Sequence, residues 1–151
     1  IRYPERLTYA GRLDKDSEGL ILLTNDGDLI NAMMLGANRH EREYIVKTDR
    51  EITPDFLEKM AKGIYLKDLD ITTRECEIEQ IGKFTFRIVL TQGVNRQIRR
   101  MCEACGYRVK ALKRIRIMNI LLGNLKPGKW RKVTGEELEQ LQRDTGMLNR
   151  N

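Results

Sequence analysis

A charged loop near the start of the chain contains residue types that could carry out acid–base or nucleophilic chemistry. Residues 11–20 (GRLDKDSEGL) place two aspartates, two bases and a serine between two glycines. A carboxylate such as Asp14 acts as a nucleophile or as a general base when a nearby positive charge keeps it ionised. Leu13 is an apolar residue within this polar stretch, which indicates that the loop packs against the protein. The same composition also fits a solvated turn capped by Asp or Ser, so residue types alone leave both interpretations open.

Most of the excess positive charge lies in one segment, residues 96–116. This segment has eight basic residues and one acid, a net charge of +7, whereas the other 20 basic and 21 acidic residues net −1. Six of the eight are Arg, whose planar guanidinium suits bidentate phosphate contacts. Tyr107 is the only aromatic residue among them. The pattern fits a solvated basic face, but it favours a polyanionic partner, most simply a nucleic acid.

Metal and cofactor sites are not indicated by the sequence. Cys102 and Cys105 have the spacing of half a zinc site, but no second pair exists, and both fall on the predicted apolar stripe of one helix. His40 is the only histidine, and no nucleophile near it suggests a Ser-His-Asp or Cys-His arrangement. Phosphate-loop and dinucleotide-binding fingerprints are lacking. We therefore expect neither a metal nor a cofactor.

The elements that must position the loop alternate between strands and helices. Asp26 or Asp28 is a candidate cap for a helix through Met34, and Thr53-Pro54 begins another helix that Gly63 ends. A third helix follows Asn95 and is closed by Gly106, and Thr134 with Glu137 forms a capping box for a fourth. Strands are predicted at residues 19–24, 44–48, 73–81, 84–91 and, as one or two strands, 107–122. Adjacent hairpins predict an α+β fold, a mixed and largely antiparallel sheet with flanking helices.

Size and cysteine content bound the class of protein. The length of 151 residues predicts one domain, and the lack of a long apolar run predicts a soluble protein. Three cysteines are an odd number, which argues against a disulfide framework and fits a reducing cytoplasm. Because Ile1 is not a start methionine, we expect the chain to be part of a longer protein.

Three motifs in order along the chain resemble those of RNA pseudouridine synthases of the RsuA type. The stretch GRLDKDSEGLILLTNDGDL at residues 11–29 is similar to the family's signature, and Glu43-Tyr44-Ile45-Val46 resembles its tyrosine motif. Residues 93–101 (GVNRQIRRM) resemble its later basic motif, and NRQIRRMCE followed by Gly-Tyr is similar to the RluF branch, which modifies large-subunit (23S) ribosomal RNA. The resemblance extends to about Glu139. It implies that residues 1–151 are the pseudouridine synthase catalytic domain, without the RNA-binding domain and first strand that precede it in the family.

The resemblance also implies roles for individual residues. Asp14 matches the essential aspartate, Tyr44 the tyrosine that stacks on the target base, and Arg99 the basic residue that pairs with the aspartate. Arg12 matches the arginine that holds the base stack open. Residues expected to contact RNA are Arg12, Arg96, Gln97, Arg100, Lys110, Lys113, Arg114 and Arg116.

The implied reaction cuts the glycosidic bond of a flipped-out uridine, turns the base and rejoins it through carbon 5, with Asp14 acting on the ribose as nucleophile or base. No cofactor is required, and we expect ribosomal RNA as the partner of a cytoplasmic monomer. One alternative is a non-catalytic basic RNA-binding module. Another is a hydrolase using Asp14 and Asp16, although carboxylates two residues apart suit paired catalysis poorly. A third is an inactive fragment.

Overall fold

The chain folds into a mixed α+β domain, and its structure, a computed structural model, describes residues 6–35 and 39–146. Within these residues there are four helices: α1 (Gly27–Met34), α2 (Pro54–Lys62), α3 (Gln97–Ala104) and α4 (Gly135–Asp144). The strands are β1 (Thr8–Tyr9), β2 (Glu18–Gly19), β3 (Leu23–Thr24), β4 (Arg42–Thr48), β5 (Tyr65–Leu66), β6 (Ile71–Thr72), β7 (Glu77–Gly82), β8 (Thr85–Leu90), β9 (Val109–Ile117) and β10 (Ile120–Leu121). The predicted fold class is confirmed.

The main sheet has six strands and is antiparallel except at one edge. Its order is β10-β9-β4-β8-β7, and β2 pairs in parallel with β9 beside β10. The pairs β1–β3 and β5–β6 are separate two-stranded ribbons. Strand β4 lies at the centre, so its residues have neighbours on both sides. The parallel β2–β9 pair attaches the segment that follows the charged loop to the β9 edge of the sheet.

Two apolar clusters hold the fold together. The larger packs α2 and α3 on the sheet, with Phe56, Phe86, Ile88 and Met101 fully or almost fully buried. The smaller lies at the β9–β10 side and joins α1 and α4 to the sheet through residues such as Met33, Ile120 and Leu141. The period-two pattern of β8 buries Phe86, Ile88 and Leu90 as predicted, but Phe84 precedes the strand and is 37% exposed.

Two helix starts agree with the sequence prediction and two differ. Asp26 caps α1 by accepting from the amides of Asp28 and Leu29, and the Thr53 hydroxyl caps α2 through the Phe56 amide. Helix α3 begins after Arg96, not Asn95, and its cap residue makes no side-chain bond. Thr134 precedes α4 without a side-chain cap, so the predicted capping box does not form.

Residues 19–24 do not form the single predicted strand. Glu18–Gly19 pairs with β9, whereas Leu23–Thr24 pairs with β1, so the chain passes from one sheet to another over a short segment. Among residues 6–35 and 39–146, no helix has the length and apolar character needed to cross a membrane.

Candidate active site

The charged loop lies between the N-terminal end of α3 and strand β9. Asp14 is partly buried, with 36% of its side chain exposed, and its carboxylate is 4.0 Å from Nη1 of Arg96. The turn is closed locally by the Ser17 amide, which donates to the Asp14 carbonyl at 2.9 Å. Asp14 is therefore held at the surface of a folded loop and faces a cation that is distant in sequence and lies at the start of a helix.

Asp16, the second carboxylate of the loop, forms an ion pair with Arg96. The guanidinium donates to both Asp16 oxygens, at 3.0 and 2.8 Å, in a bidentate pair. This hydrogen bond lowers the pKa of Asp16 to about 2. Asp16 is therefore engaged in a bidentate ion pair, whereas the Asp14 carboxylate lies 4.0 Å from the same guanidinium.

The backbone of Arg96 adopts a left-handed conformation to make this contact. Its φ and ψ are 51° and 37°, immediately before α3. For a residue with a side chain, such a conformation costs about 1 kcal/mol or more and persists only where surrounding contacts enforce it. The bidentate bond to Asp16 is such a contact, and it joins the charged loop to the start of the helix.

Arg99 fixes the same loop but does not pair with Asp14. Its Nη2 donates to the Asp16 carbonyl at 2.7 Å and to the Ser17 hydroxyl at 3.3 Å, and its side chain is only 12% exposed. The predicted Asp14–Arg99 ion pair is therefore corrected: Arg99 binds the residues that follow Asp14. The charged side chain nearest to the Asp14 carboxylate among the ion pairs of the described residues is Arg96.

Arg114 was predicted to contact RNA at the surface, but it is buried. It is 2% exposed, its Nε donates to the Leu20 carbonyl at 2.8 Å and its Nη1 to the Arg12 carbonyl at 3.2 Å. These carbonyls lie on either side of Asp14, so one buried guanidinium clamps both arms of the loop. Burial lowers the pKa of Arg114, and the neighbouring Tyr44 and Asp14 counteract that shift.

The alternation of residues along β9 is the sequence pattern that could have indicated that Arg114 is buried. Leu112 and Arg114 are both buried on β9 while Lys113 between them is exposed, as expected for alternate residues of a strand. Nη2 of Arg114 has no hydrogen-bond partner among the described residues.

Gly19 makes the close approach of loop and sheet possible. Its φ is +117°, and a Cβ at this position would lie 2.5 Å from the backbone nitrogen of Arg114 and closer still to its carbonyl oxygen. No residue with a side chain fits there without moving β2 or β9. The glycine thereby lets the Leu20 amide donate to the Arg114 carbonyl at 2.8 Å, next to the guanidinium clamp.

Tyr44 lies beside Arg114 in the sheet. The two residues are register partners on β4 and β9, and Ile88 is the partner of Tyr44 on β8. Tyr44 is half-buried against the larger apolar cluster. Arg114 is thus the register partner of Tyr44 and also bonds the backbone on both sides of Asp14.

Several predicted RNA contacts have other partners. Gln97 is 5% exposed and bonds within its own turn region, to the Val94 amide and Gln92. Arg116 bonds Glu43 at 2.8 Å and Glu41 at 3.1 Å, which neutralise its charge. Gln97 and Arg114 are buried, so their predicted surface contacts with RNA are corrected, whereas Arg116 keeps 19% side-chain exposure and its RNA contact stays a prediction.

The remaining predicted RNA contacts stay candidates. Arg100 donates to the Asn95 carbonyl and side chain and retains 28% exposure. Arg12, Lys110 and Lys113 are exposed. Tyr107 packs against the core: its ring centroid lies 4.1 Å from that of Phe56, and its hydroxyl donates to the Glu51 carbonyl.

The cysteines have the character of buried apolar residues. Burial raises the pKa of Cys102 to about 12 and that of Cys76 to about 11, and all three thiols are free. Within residues 6–35 and 39–146 no three His, Cys, Asp or Glu side chains are grouped to hold a metal ion.

Comparison with known proteins shows similarity to RNA pseudouridine synthases. The sequence family described as RNA pseudouridylate synthase matches residues 2–104. The chain is 48% identical over 141 residues to the dual-specificity RNA pseudouridine synthase RluF of Escherichia coli strain K12, covering 93% of this chain and 48% of that protein. It is 40% identical over 121 residues to the ribosomal large subunit pseudouridine synthase B of Xylella fastidiosa, covering 74% of this chain and 25% of the relative.

A solved structure described as a pseudouridylate synthase has the same fold, with a TM-score of 0.89 and 30% sequence identity. That match covers 93% of this chain and 63% of the other. The chain spans about half the length of the curated RluF relative.

Proposed function

Because the chain belongs to the RNA pseudouridylate synthase family, we propose that it isomerises uridine to pseudouridine in RNA. The reaction breaks the bond between N1 of uracil and C1′ of ribose and forms a bond between C5 and C1′. The proton on C5 is released and N1 gains one. Substrate and product contain the same atoms, so no oxidant, reductant or other co-reactant is consumed.

One observation carries the proposal: the loop that contains Asp14 is clamped against the strand next to Tyr44. Arg114 bonds the backbone on both sides of Asp14, and Arg99 and Arg96 bond the residues that follow it. Positioning of this kind matters because a reacting group misplaced by about 1 Å costs on the order of 100-fold in rate. A solvated turn would not need three guanidinium anchors.

Asp14 is the reacting carboxylate in this proposal. In one route it attacks C1′ as a nucleophile, uracil leaves with the N1–C1′ electron pair, and C5 then displaces the carboxylate. In the other route Asp14 removes a ribose proton and returns it after the base has turned. Both routes use the carboxylate of Asp14, and the Arg96 guanidinium lies 4.0 Å from it.

In this proposal Tyr44 and Arg12 stabilise the extruded target uridine and take no part in breaking the glycosidic bond. Extracting a uridine from its stack costs a few kcal/mol. The half-buried Tyr44 ring offers a surface on which the extruded base can stack, and the exposed Arg12 side chain can occupy the gap left in the RNA. Arg114 acts as a positioning residue, since its bonds are to the loop backbone.

The substrate we propose is large-subunit (23S) ribosomal RNA. The similarity to a relative named for the ribosomal large subunit supports it, as does the net charge of +6. We also propose that residues 1–151 constitute the catalytic domain and that it acts as a monomer. The three free thiols favour a cytoplasmic, reducing setting.

The test is to incubate the protein with an unmodified large-subunit ribosomal RNA transcript and map pseudouridine by carbodiimide-dependent stops in primer extension. The protein should create stops at defined uridines, and Asp14→Asn should create none. Asp55→Asn is the matched control, because its carboxylate is an exposed one on α2 that pairs with Lys59, and it should retain most of the activity. Release of free uracil, or equal loss in both variants, would contradict the proposal.

A further inference from the structure

A second basic segment lies outside residues 96–116. Residues 126–132 (KPGKWRK) contain four basic residues and no acid, and they include the only tryptophan of the chain. Trp130 is 49% exposed, and Lys126 and Lys129 are exposed as well. This segment therefore combines an exposed aromatic ring with neighbouring cations, the two groups that single-stranded nucleic acid binds.

The residue next to Trp130 connects this segment to two elements of the fold. Arg131 forms a bidentate bond with Glu137 of α4, at 2.6 and 2.9 Å, and also donates to the Leu121 carbonyl of β10 at 3.3 Å. The segment is therefore attached to the domain beside the exposed ring of Trp130.

The segment borders a cavity that reaches the charged loop. The cavity has a volume of about 790 Å³, and Trp130, Lys126 and Lys129 are among the residues that line it. Leu13 and Lys113 line it too. Leu13 directly precedes Asp14, so the cavity borders the loop that contains the proposed reacting carboxylate.

Charge and stacking together identify the class of partner. Most residues that line the cavity are apolar, and the charged ones are five bases and one acid: Lys113, Lys126, Lys129, Arg131, Lys132 and Glu18. The aromatic residue of the first basic segment, Tyr107, is packed in the core. A cationic rim with one accessible aromatic ring is the arrangement that binds single-stranded nucleic acid, in which bases are free to stack.

We propose that this rim is a second RNA-contact surface, on which Trp130 stacks with an unpaired base flanking the target uridine while Lys126 and Lys129 bind the adjoining phosphates. The inference rests on the proposed function for its choice of RNA, but it concerns a surface that takes no part in the chemistry.

The single tryptophan provides a direct readout. Titration of the 151-residue chain with poly(U) should quench the fluorescence of Trp130, whereas the poly(A)·poly(U) duplex, whose bases are already stacked, should quench it much less. Trp130→Ala should weaken poly(U) binding roughly 5- to 150-fold, as expected for loss of one stacked base. Trp130→Phe, which keeps an aromatic ring and the fold, should restore most of that affinity.

The lysines should affect salt dependence, not stacking. The double variant Lys126→Ala/Lys129→Ala should lower the slope of log K against log salt by about 1.4, since each phosphate contact with a single strand contributes about 0.7. Trp130→Ala should leave the slope unchanged. The matched control is Lys59→Ala/Lys62→Ala on α2, which removes two exposed lysines of the same charge and should not alter the slope.

Failure of this inference is distinct from failure of the proposed function. Absence of poly(U) binding, or binding without a change in Trp130 fluorescence, overturns the second surface even if pseudouridine is formed. So does an unchanged affinity of Trp130→Ala. If poly(U) quenches Trp130 fluorescence and Trp130→Ala weakens poly(U) binding, but no pseudouridine forms in ribosomal RNA, the catalytic proposal is overturned and the second RNA-contact surface is retained.

Discussion

Replacing Arg114 tests whether its side chain anchors the charged loop from a buried position or contacts RNA phosphates at the surface. In Arg114→Met the chain keeps a long apolar side chain but loses the two bonds to the Leu20 and Arg12 carbonyls. Hydrogen bonds from a charged donor contribute about 1.5–3 kcal/mol each, and relief of the buried charge offsets part of that loss. We expect a net decrease in the free energy of unfolding of about 2–4 kcal/mol, or roughly 5–15 °C in Tm for a domain of this size.

The same variant should lower turnover far more than RNA affinity. The clamp holds the backbone on both sides of Asp14, so its loss should reduce kcat at least about 10-fold. The Kd for RNA should stay within about twofold and the salt slope should not change, because a side chain that is 2% exposed cannot reach a phosphate. Arg114→Lys, which keeps the charge and one donor, should recover part of both stability and kcat.

The assays are urea unfolding, pseudouridine formation under single-turnover conditions and RNA binding at several salt concentrations. Arg108→Met is the matched control, because Arg108 is an exposed arginine of the same segment. It should keep Tm and kcat. The reasoning is refuted if Arg114→Met retains its Tm while its RNA affinity and salt slope fall, since that is the behaviour of a surface contact.

Three further outcomes are expected. The Asp16 carboxyl should titrate at about pH 2 by NMR. Because its pKa is lowered in the folded state, the contact with Arg96 persists above about pH 4 and is lost as pH falls through about 2. Arg96→Ala should return the midpoint of this titration to its ordinary range. Gly19→Ala should destabilise the domain by more than about 2 kcal/mol in urea unfolding, whereas Gly27→Ala, with open space around it, should not. Cys102, with a pKa of about 12, should resist alkylation at pH 8 until the chain is unfolded, which mass spectrometry can follow.

Local signals in the sequence predicted the elements well where one residue decides the backbone. Asp26 and the Thr53-Pro54 pair each satisfy exposed amides at a helix start, and both helices begin there. The start of α3 was displaced by one residue because Arg96 is drawn towards Asp16, a residue distant in sequence. Glu137 was predicted to close a capping box, but Arg131 binds it instead. Both differences involve ion pairs with residues that the helix-capping patterns do not include.

The hydrogen bonds of the candidate site were not predicted from the sequence. The motif resemblance assigns Asp14 and Tyr44 to one site, which stays a prediction; the structure shows Arg114 as the register partner of Tyr44 and bonded to the loop that contains Asp14. Counting charges treated every arginine of the basic segment as a surface group. Arg114 and Arg116 instead pair with loop carbonyls and with Glu43, because the strand alternates and turns them toward protein. A partner at a backbone carbonyl leaves no trace in composition.

The most direct test of Asp14 as the reacting carboxylate follows the hydrogen on carbon 5 of the base. Ribosomal RNA transcribed with uridine tritiated at that carbon is incubated with the protein, and tritium released to water is counted. The wild-type chain should release about one tritium per uridine isomerised, and Asp14→Asn should release none while binding RNA with a Kd within about threefold. Tritium release by Asp14→Asn at the wild-type rate would contradict the account.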